Sequence, residues 1–198
     1  ILPAITAHTY MKPIPEKTPY SSLELVGRDI YIREGCYNCH SQQVRPLKNE
    51  VLRYGTKSVP EEYIYDHPFQ WGSKRTGPDV SRVGGKYPDL WHYRHMIDPR
   101  SMVPQSIMPS YPWLTKGRVN FAELPKKLKV MRLMGVPYSD DEIKNAAQDA
   151  RRQAKSIVMT MNLASPPKKL EERDIIALIA YLQKLHLKKE FLIHLIGI

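Results

Sequence analysis

The most distinctive chemistry in this 198-residue chain belongs to two cysteines and the histidine that follows them. Cys36, Cys39 and His40 form the pattern Cys-x-x-Cys-His, in which two thiols three residues apart reach the two vinyl groups of one porphyrin. The histidine then lies beneath the iron as its proximal ligand. Both cysteines of the chain are used, so the pattern predicts one covalently bound haem c.

Two other uses of a Cys-x-x-Cys pair fit the sequence less well. A structural zinc site needs two further ligands at ordered spacing, and the chain has neither a second such pair nor a His-x(3–5)-His finger. A thioredoxin-like redox pair stands at the start of a helix after a strand, whereas this pair follows a predicted helix. An interaction module without haem is the alternative from a different class.

A second iron ligand must come from elsewhere in the chain, and Met108 is the preferred candidate. It lies in a proline-rich stretch, Ser106 to Trp113, where we expect a fixed loop rather than a helix core. Ligation by His40 and Met108 fills both axial positions, which suits electron transfer and disfavours oxygen binding. The other candidates are Met96, Met102, His67, His92 and His95. An alternative interpretation of His92 and His95 is that they are half-buried histidines that only form hydrogen bonds.

Side chains near a Thr-Gly-Pro-Asp motif are expected to orient the haem and its proximal ligand. The free ring N–H of a proximal histidine normally donates to a backbone carbonyl, and the Pro78 carbonyl is the candidate acceptor. Arg45, Arg75 and Trp71 are candidates for contacts with the haem propionates, because arginine pairs well with carboxylates and the indole N–H is a donor. Ordinary loop packing is the alternative for these three side chains.

The elements that must position these residues are helices separated by proline-rich loops. Ser-x-x-Glu capping boxes predict helices over about 22–34 and 139–162, and an apolar stripe predicts a last helix over about 170–187. A short helix is expected around 88–96, because proline is favoured in a first turn. Residues 41–120 are otherwise rich in proline and read as loops. The pattern predicts an all-α protein.

The charge pattern argues against a nucleic-acid partner. The formal net charge is +10, but the basic residues form no tail or lysine-rich arm. Residues 74–118 carry eight basic and three acidic side chains, a net charge of +5, and we expect this excess to lie near the haem propionates. The longest apolar stretch, Ile175 to Leu182, has eight residues, far fewer than the roughly 20 that span a bilayer.

Several short motifs resemble those of class I cytochromes c. They are Gly27 with Tyr31 in the first helix, Cys-x-x-Cys-His, Gly-Pro-Asp, a Met-Pro loop, and Ile179 to Leu182 in the last helix. The resemblance implies a class I cytochrome c-like haem domain with long loop insertions. In that fold the first and last helices cross near the haem, which would account for Gly27 and Tyr181.

Longer stretches are similar to the mono-haem cytochrome c subunit, subunit II, of cbb3-type cytochrome c oxidases. These are Gly27–Cys36, His40–Gln42, Tyr65–Pro68, Trp71–Asp79, Asp98–Arg100, Met108–Leu114 and Gly135–Tyr138. The resemblance implies a non-catalytic subunit that relays electrons to the haem–copper catalytic subunit of a proton-pumping oxidase, beside a di-haem cytochrome c subunit. It also implies a haem domain on the periplasmic side of the bacterial inner membrane, anchored by an N-terminal helix.

The same resemblance implies a division of the chain. Residues 1–20 are interpreted as a linker that follows a missing membrane anchor, and 21–187 as the cytochrome c domain. Insertions at about 41–75 and 115–168 are expected to dock against other subunits. Residues 188–198 form a tail of uncertain role.

Two other functions remain open at the level of the sequence. One is the cytochrome c subunit of a nitric oxide reductase, against which the Trp71–Asp79 and Met108–Leu114 stretches argue. The other is a haem c enzyme or gas sensor whose sixth iron position is open.

Overall fold

The computed structural model describes residues 10–14 and 17–186, and seven α-helices lie within this part of the chain. They are α1 (Ser22–Arg33), α2 (Lys48–Tyr54), α3 (Asp89–Ile97), α4 (Pro99–Met102), α5 (Leu124–Leu133), α6 (Asp140–Thr160) and α7 (Asp174–Lys184). Short 3₁₀ turns are formed by Cys36–Asn38, Pro60–Tyr63, Pro112–Thr115, Phe121–Glu123 and Leu170–Glu172. No strand occurs within the described residues, and the prediction of an all-α, cytochrome c-like fold is confirmed.

Four helices correspond to those that the sequence predicts. Helices α1, α3 and α6 begin and end within two residues of the predicted bounds. Helix α7 begins four residues later than expected, because Arg173 before it is extended and Leu170–Glu172 forms a separate 3₁₀ turn. The predicted capping boxes are present at the starts of α1 and α6, where a serine hydroxyl and a glutamate carboxylate each accept a backbone N–H.

Three helices were missed because they begin at or near prolines, or are short. Helix α5 has Pro125 in its first turn, where a missing N–H costs nothing, and the sequence analysis assigned no helix to this part of the chain. The division of the chain into a haem domain with two insertions stays a prediction. Of the predicted linker, residues 1–9 and 15–16 lie outside the described residues, as does the tail at 188–198.

The core is organised around the crossing of α1 and α7. A Cβ atom on Gly27 would lie 1.9 Å from the carbonyl oxygen of Ala177 and 2.7 Å from Cβ of Tyr181, so the two backbones meet where only glycine fits. The Tyr181 ring packs between those of Tyr31 and Tyr20, with centroids 5.5 and 5.6 Å away. The close crossing that the sequence predicts at Gly27 is confirmed.

Helix α6 lies across both of these helices through a face of small residues. Ala146, Ala150 and Ala154 are fully buried there, and the Ser22 hydroxyl at the start of α1 donates to the Ala146 carbonyl at 2.7 Å. Helix α5 packs on α6. Within the described residues, no helix combines the length and the apolar character that crossing a membrane requires.

The variant Gly27→Ala tests the helix crossing. Inside a helix this exchange normally stabilises by about 1 kcal/mol, but here the added methyl group meets a backbone carbonyl. We expect the free energy of unfolding in denaturant to fall by roughly 1–3 kcal/mol, the usual cost of overpacking. Gly72→Ala is the matched control, because a Cβ there has no neighbour within 4 Å and should leave stability unchanged. Equal stability of the Gly27→Ala variant and the parent would contradict the crossing.

Candidate functional site

The Cys-x-x-Cys-His motif forms one tight turn directly after α1. Gly35 opens the turn in the left-handed region, with φ of 71°, and the 3₁₀ turn Cys36–Asn38 follows. The backbone N–H groups of Cys39 and His40 both donate to the Cys36 carbonyl, at 3.1 and 2.9 Å. The two cysteines form no disulfide with each other, and the turn brings them and the imidazole to the wall of one cleft.

The imidazole of His40 is held against the backbone of the Gly-Pro motif. Its Nδ1 lies 2.8 Å from the Pro78 carbonyl oxygen, the contact that the sequence predicts. A Cβ atom on Gly77 would lie 2.3 Å from Cε1 of the ring, so glycine makes room for the histidine. Because Nδ1 donates to a carbonyl, Nε2 keeps its lone pair and is available to bind a metal.

The cleft beside this turn has a volume of about 420 Å³, within the usual range for a bound small molecule. Its wall is mainly apolar and is built from α1, α3, α7 and the segments around Pro78 and Met108. None of the residues that line it is Asp, Glu, Lys or Arg. The expectation that the basic side chains of residues 74–118 lie near the haem propionates stays a prediction.

Met108 lines the same cleft, and two hydrogen bonds join the residues that follow it in the loop to neighbouring helices. The Tyr111 N–H donates to the Met96 carbonyl at 2.8 Å, which joins the loop to α3. The indole N–H of Trp113 donates to the carboxylate of Glu34 at 2.9 Å, which joins it to the end of α1. These bonds fix the loop, as its prolines indicate.

Of the six methionines and histidines considered as a second iron ligand, four line the cleft and two do not. Met96, His92 and His95 on α3 lie in the wall with Met108, whereas Met102 and His67 are not part of it. Nε2 of His92 and Nδ1 of His95 have no hydrogen-bond partner among the described residues. The expectation that these two histidines serve only to form hydrogen bonds is thus not supported.

Arg75 and Arg45 do not line the cleft, because a carboxylate elsewhere engages both. Glu50 accepts a hydrogen bond from Arg75 at 2.6 Å and also pairs with Arg45. Burial of Glu50 would raise the pKa of its carboxyl, but the hydrogen bonds from the two arginines outweigh burial and lower the pKa to about 2. Arg75 also lies 3.8 Å from Asp79. These carboxylates are the ion-pair partners of the two arginines within the described residues, and a contact of either arginine with a propionate stays a prediction.

Trp71, the third residue expected near the propionates, also lies outside the cleft wall. Its indole stacks on Phe69, with centroids 4.9 Å apart, and meets Tyr63 edge-on at 5.6 Å. Loop packing, the alternative considered for this side chain, describes these contacts.

An aromatic stack along the cleft wall was not foreseen. Tyr87, Trp91 and His95 lie ring on ring, with centroids 4.0 and 4.5 Å apart and planes inclined by 14° and 13°. All three line the cleft. The signal was the spacing of Trp91 and His95, four residues apart on α3, which places them on one face of the helix; Tyr87 lies just before the helix begins.

A protein-family model described as cytochrome c oxidase, mono-heme subunit/FixO matches residues 1–188. The chain belongs to this family. A comparison with curated proteins gave no match. As a FixO-family member, the chain is a mono-haem subunit of cytochrome c oxidase and takes part in electron transport.

The cleft of this FixO-family chain fits a haem. Cys36 and Cys39 supply two thiols, His40 supplies a nitrogen with a free lone pair, and Met108 supplies a thioether, all on one apolar cleft. Because Gly77 has no side chain, it leaves a space for the imidazole, and the Cβ atom of any other residue would occupy that space. The donor set and the apolar wall are those that a covalently attached, doubly ligated haem needs.

The variant Gly77→Ala tests whether the contact with Gly77 holds the His40 imidazole in position. A methyl group 2.3 Å from Cε1 must push the His40 ring away from the Pro78 carbonyl. We expect the bond between His40 and the iron of the covalently attached haem to weaken about 10–100-fold, as loss of such an outer contact typically does, so that the low-spin spectrum of the parent is lost. The visible spectrum of the purified variant measures this change. Gly72→Ala is the control, and an unchanged low-spin spectrum in Gly77→Ala would contradict the proposed role of Gly77.

Proposed function

We propose that this subunit carries one haem c, bonded covalently to Cys36 and Cys39, and relays electrons to the haem–copper catalytic subunit of a cbb3-type oxidase. The observation that carries the proposal is the Cys-x-x-Cys-His turn, which opens onto an apolar cleft in a chain of the mono-heme oxidase family. When bound, haem supplies a one-electron couple between ferrous and ferric iron.

His40 and Met108 are the proposed axial ligands. The bond from Nδ1 to the Pro78 carbonyl fixes the tautomer and the orientation of His40. The bonds of Tyr111 and Trp113 hold the Met108 loop against α3 and α1. Because the protein fills both positions, the subunit binds no oxygen and catalyses no bond-making step by itself.

Two side chains at the cleft support electron exchange with a partner protein. Ile107 and Val103 line the cleft and are nevertheless 77% and 44% exposed, and large exposed apolar side chains often mark contact surfaces. The proposed partners are the catalytic subunit and a di-haem cytochrome c subunit. The proposed location is the periplasmic side of the bacterial inner membrane, with an N-terminal helix as anchor.

The alternatives are weaker on specific grounds. A cytochrome c subunit of nitric oxide reductase is disfavoured because the matching family is one of oxidase subunits. A haem c enzyme or gas sensor requires an open sixth position, whereas Met108 lines the cleft on a fixed loop. Rapid binding of carbon monoxide to the reduced parent chain would favour the enzyme or sensor.

Replacing both cysteines tests covalent attachment. In Cys36→Ala/Cys39→Ala no thioether bond can form, so acid–acetone should extract all of the haem, whereas the parent retains it. Tyr37→Ala is the control, because Tyr37 belongs to the same turn and is exposed. Haem that resists extraction from the double variant would refute the assignment of haem c.

Met108→His tests the second ligand. Methionine raises the potential of haem iron relative to histidine, so this variant should keep its haem but titrate at a potential lower by on the order of 0.1 V, within the roughly 0.8 V range that axial ligands set. A spectroscopic redox titration measures the change. Met102→His is the matched control, because Met102 does not line the cleft. If Met108→His titrates like the parent, Met108 is not the ligand.

A further inference from the structure

His95 is a cleft residue to which the proposed function assigns no task. Its imidazole lines the same cleft as the Cys-x-x-Cys-His turn and Met108, and its Nδ1 is buried without a hydrogen-bond partner among the described residues. A buried polar atom without a partner costs about 1–3 kcal/mol. In a ligand-binding cleft, the bound group is the natural source of that partner.

The ring of His95 is held in one orientation by stacking. It lies on Trp91, with centroids 4.5 Å apart and planes inclined by 13°, and Trp91 lies on Tyr87 in the same manner. An imidazole fixed in this way presents its free nitrogen in a defined direction, which lowers the entropy cost of binding a metal.

Two observations place His95 near both proposed iron ligands. His95 and His40 line the same cleft, and burial lowers the pKa of His95, which favours the neutral imidazole that can bind a metal. The neighbouring Met96 carbonyl accepts the N–H of Tyr111, which brings the Met108 loop to this end of α3.

The other two donors on α3 are less suited to bind the iron. His92 is only 1% exposed, its ring meets Trp91 and Tyr87 edge-on, and burial lowers its pKa to about 4. Met96 is packed into the core. Of the three, His95 alone has a ring that is fixed by face-to-face stacking in the cleft wall.

We propose that His95 is an alternative sixth ligand of the haem iron, which takes this position when Met108 is withdrawn or replaced. The inference rests on the proposed function, since it assumes His40 and Met108 as the resting ligands. In the exchange the iron–sulfur bond breaks, and a lone pair of the neutral imidazole forms the new bond. The iron keeps its oxidation state and no proton is released. Imidazole binds metals through either ring nitrogen. The iron would thereby stay closed to oxygen when its bond to Met108 is lost.

Carbon monoxide binding to the full chain, matured with its haem and then reduced, tests the inference. Met108→Ala should remain low-spin and six-coordinate, with the spectrum of two nitrogen ligands, and should bind carbon monoxide weakly. In Met108→Ala/His95→Leu the sixth position is open. If His95 occupies the iron in 99 of 100 molecules of the single variant, the second exchange strengthens carbon monoxide binding about 100-fold.

Two matched controls separate His95 from its neighbours. Met108→Ala/His92→Leu and Met108→Ala/Met96→Leu each remove another donor of the cleft wall, and both should behave like Met108→Ala. If Met108→Ala is five-coordinate and binds carbon monoxide as tightly as Met108→Ala/His95→Leu, the inference about His95 is wrong, while the proposed function is unaffected. Two nitrogen ligands in the parent chain would instead overturn the assignment of Met108 in the proposed function, and with it the description of His95 as an alternative.

Discussion

The fixed position of the His40 imidazole is the constraint on which the rest of the site depends. The ring needs a glycine beneath it and a carbonyl at Nδ1, and Gly77 and Pro78 supply the two. The segment that carries them is itself held by Asp79, whose carboxylate accepts the Ser41 hydroxyl at 2.7 Å and the Gln43 N–H at 2.8 Å. Residues 41–43, which follow the motif, and the Gly-Pro segment are thus joined into one unit.

The crossing of α1 and α7 fixes this unit relative to the cleft. The Tyr31 hydroxyl on α1 donates to the His40 carbonyl at 3.0 Å, and the Tyr181 hydroxyl on α7 lies 2.9 Å from Nε2 of Gln42. Because Gly27 lets the two helices meet backbone to backbone, both tyrosines reach the residues around His40. Packing in the core therefore determines where a proximal ligand stands.

Sequence reasoning succeeded where the signal is local. The Cys-x-x-Cys-His turn, the capping boxes, the contact of His40 with Pro78 and the close approach at Gly27 all follow from neighbouring residues or from a position that tolerates only glycine. The pairing of Arg75 with Glu50 was not foreseen, because the two residues stand 25 positions apart and become partners only on folding. The unpaired nitrogens of His92 and His95 were likewise invisible, since they depend on what the fold leaves unbonded.

The central claim is that electrons pass through the haem of this subunit on their way to oxygen. Its most direct test is the absorbance of the haem c of this subunit in the intact, fully reduced oxidase after rapid mixing with oxygen. The account predicts that this haem is oxidised at least as fast as the enzyme turns over and is reduced again by the electron donor. A haem that stays reduced while the enzyme consumes oxygen would contradict the account.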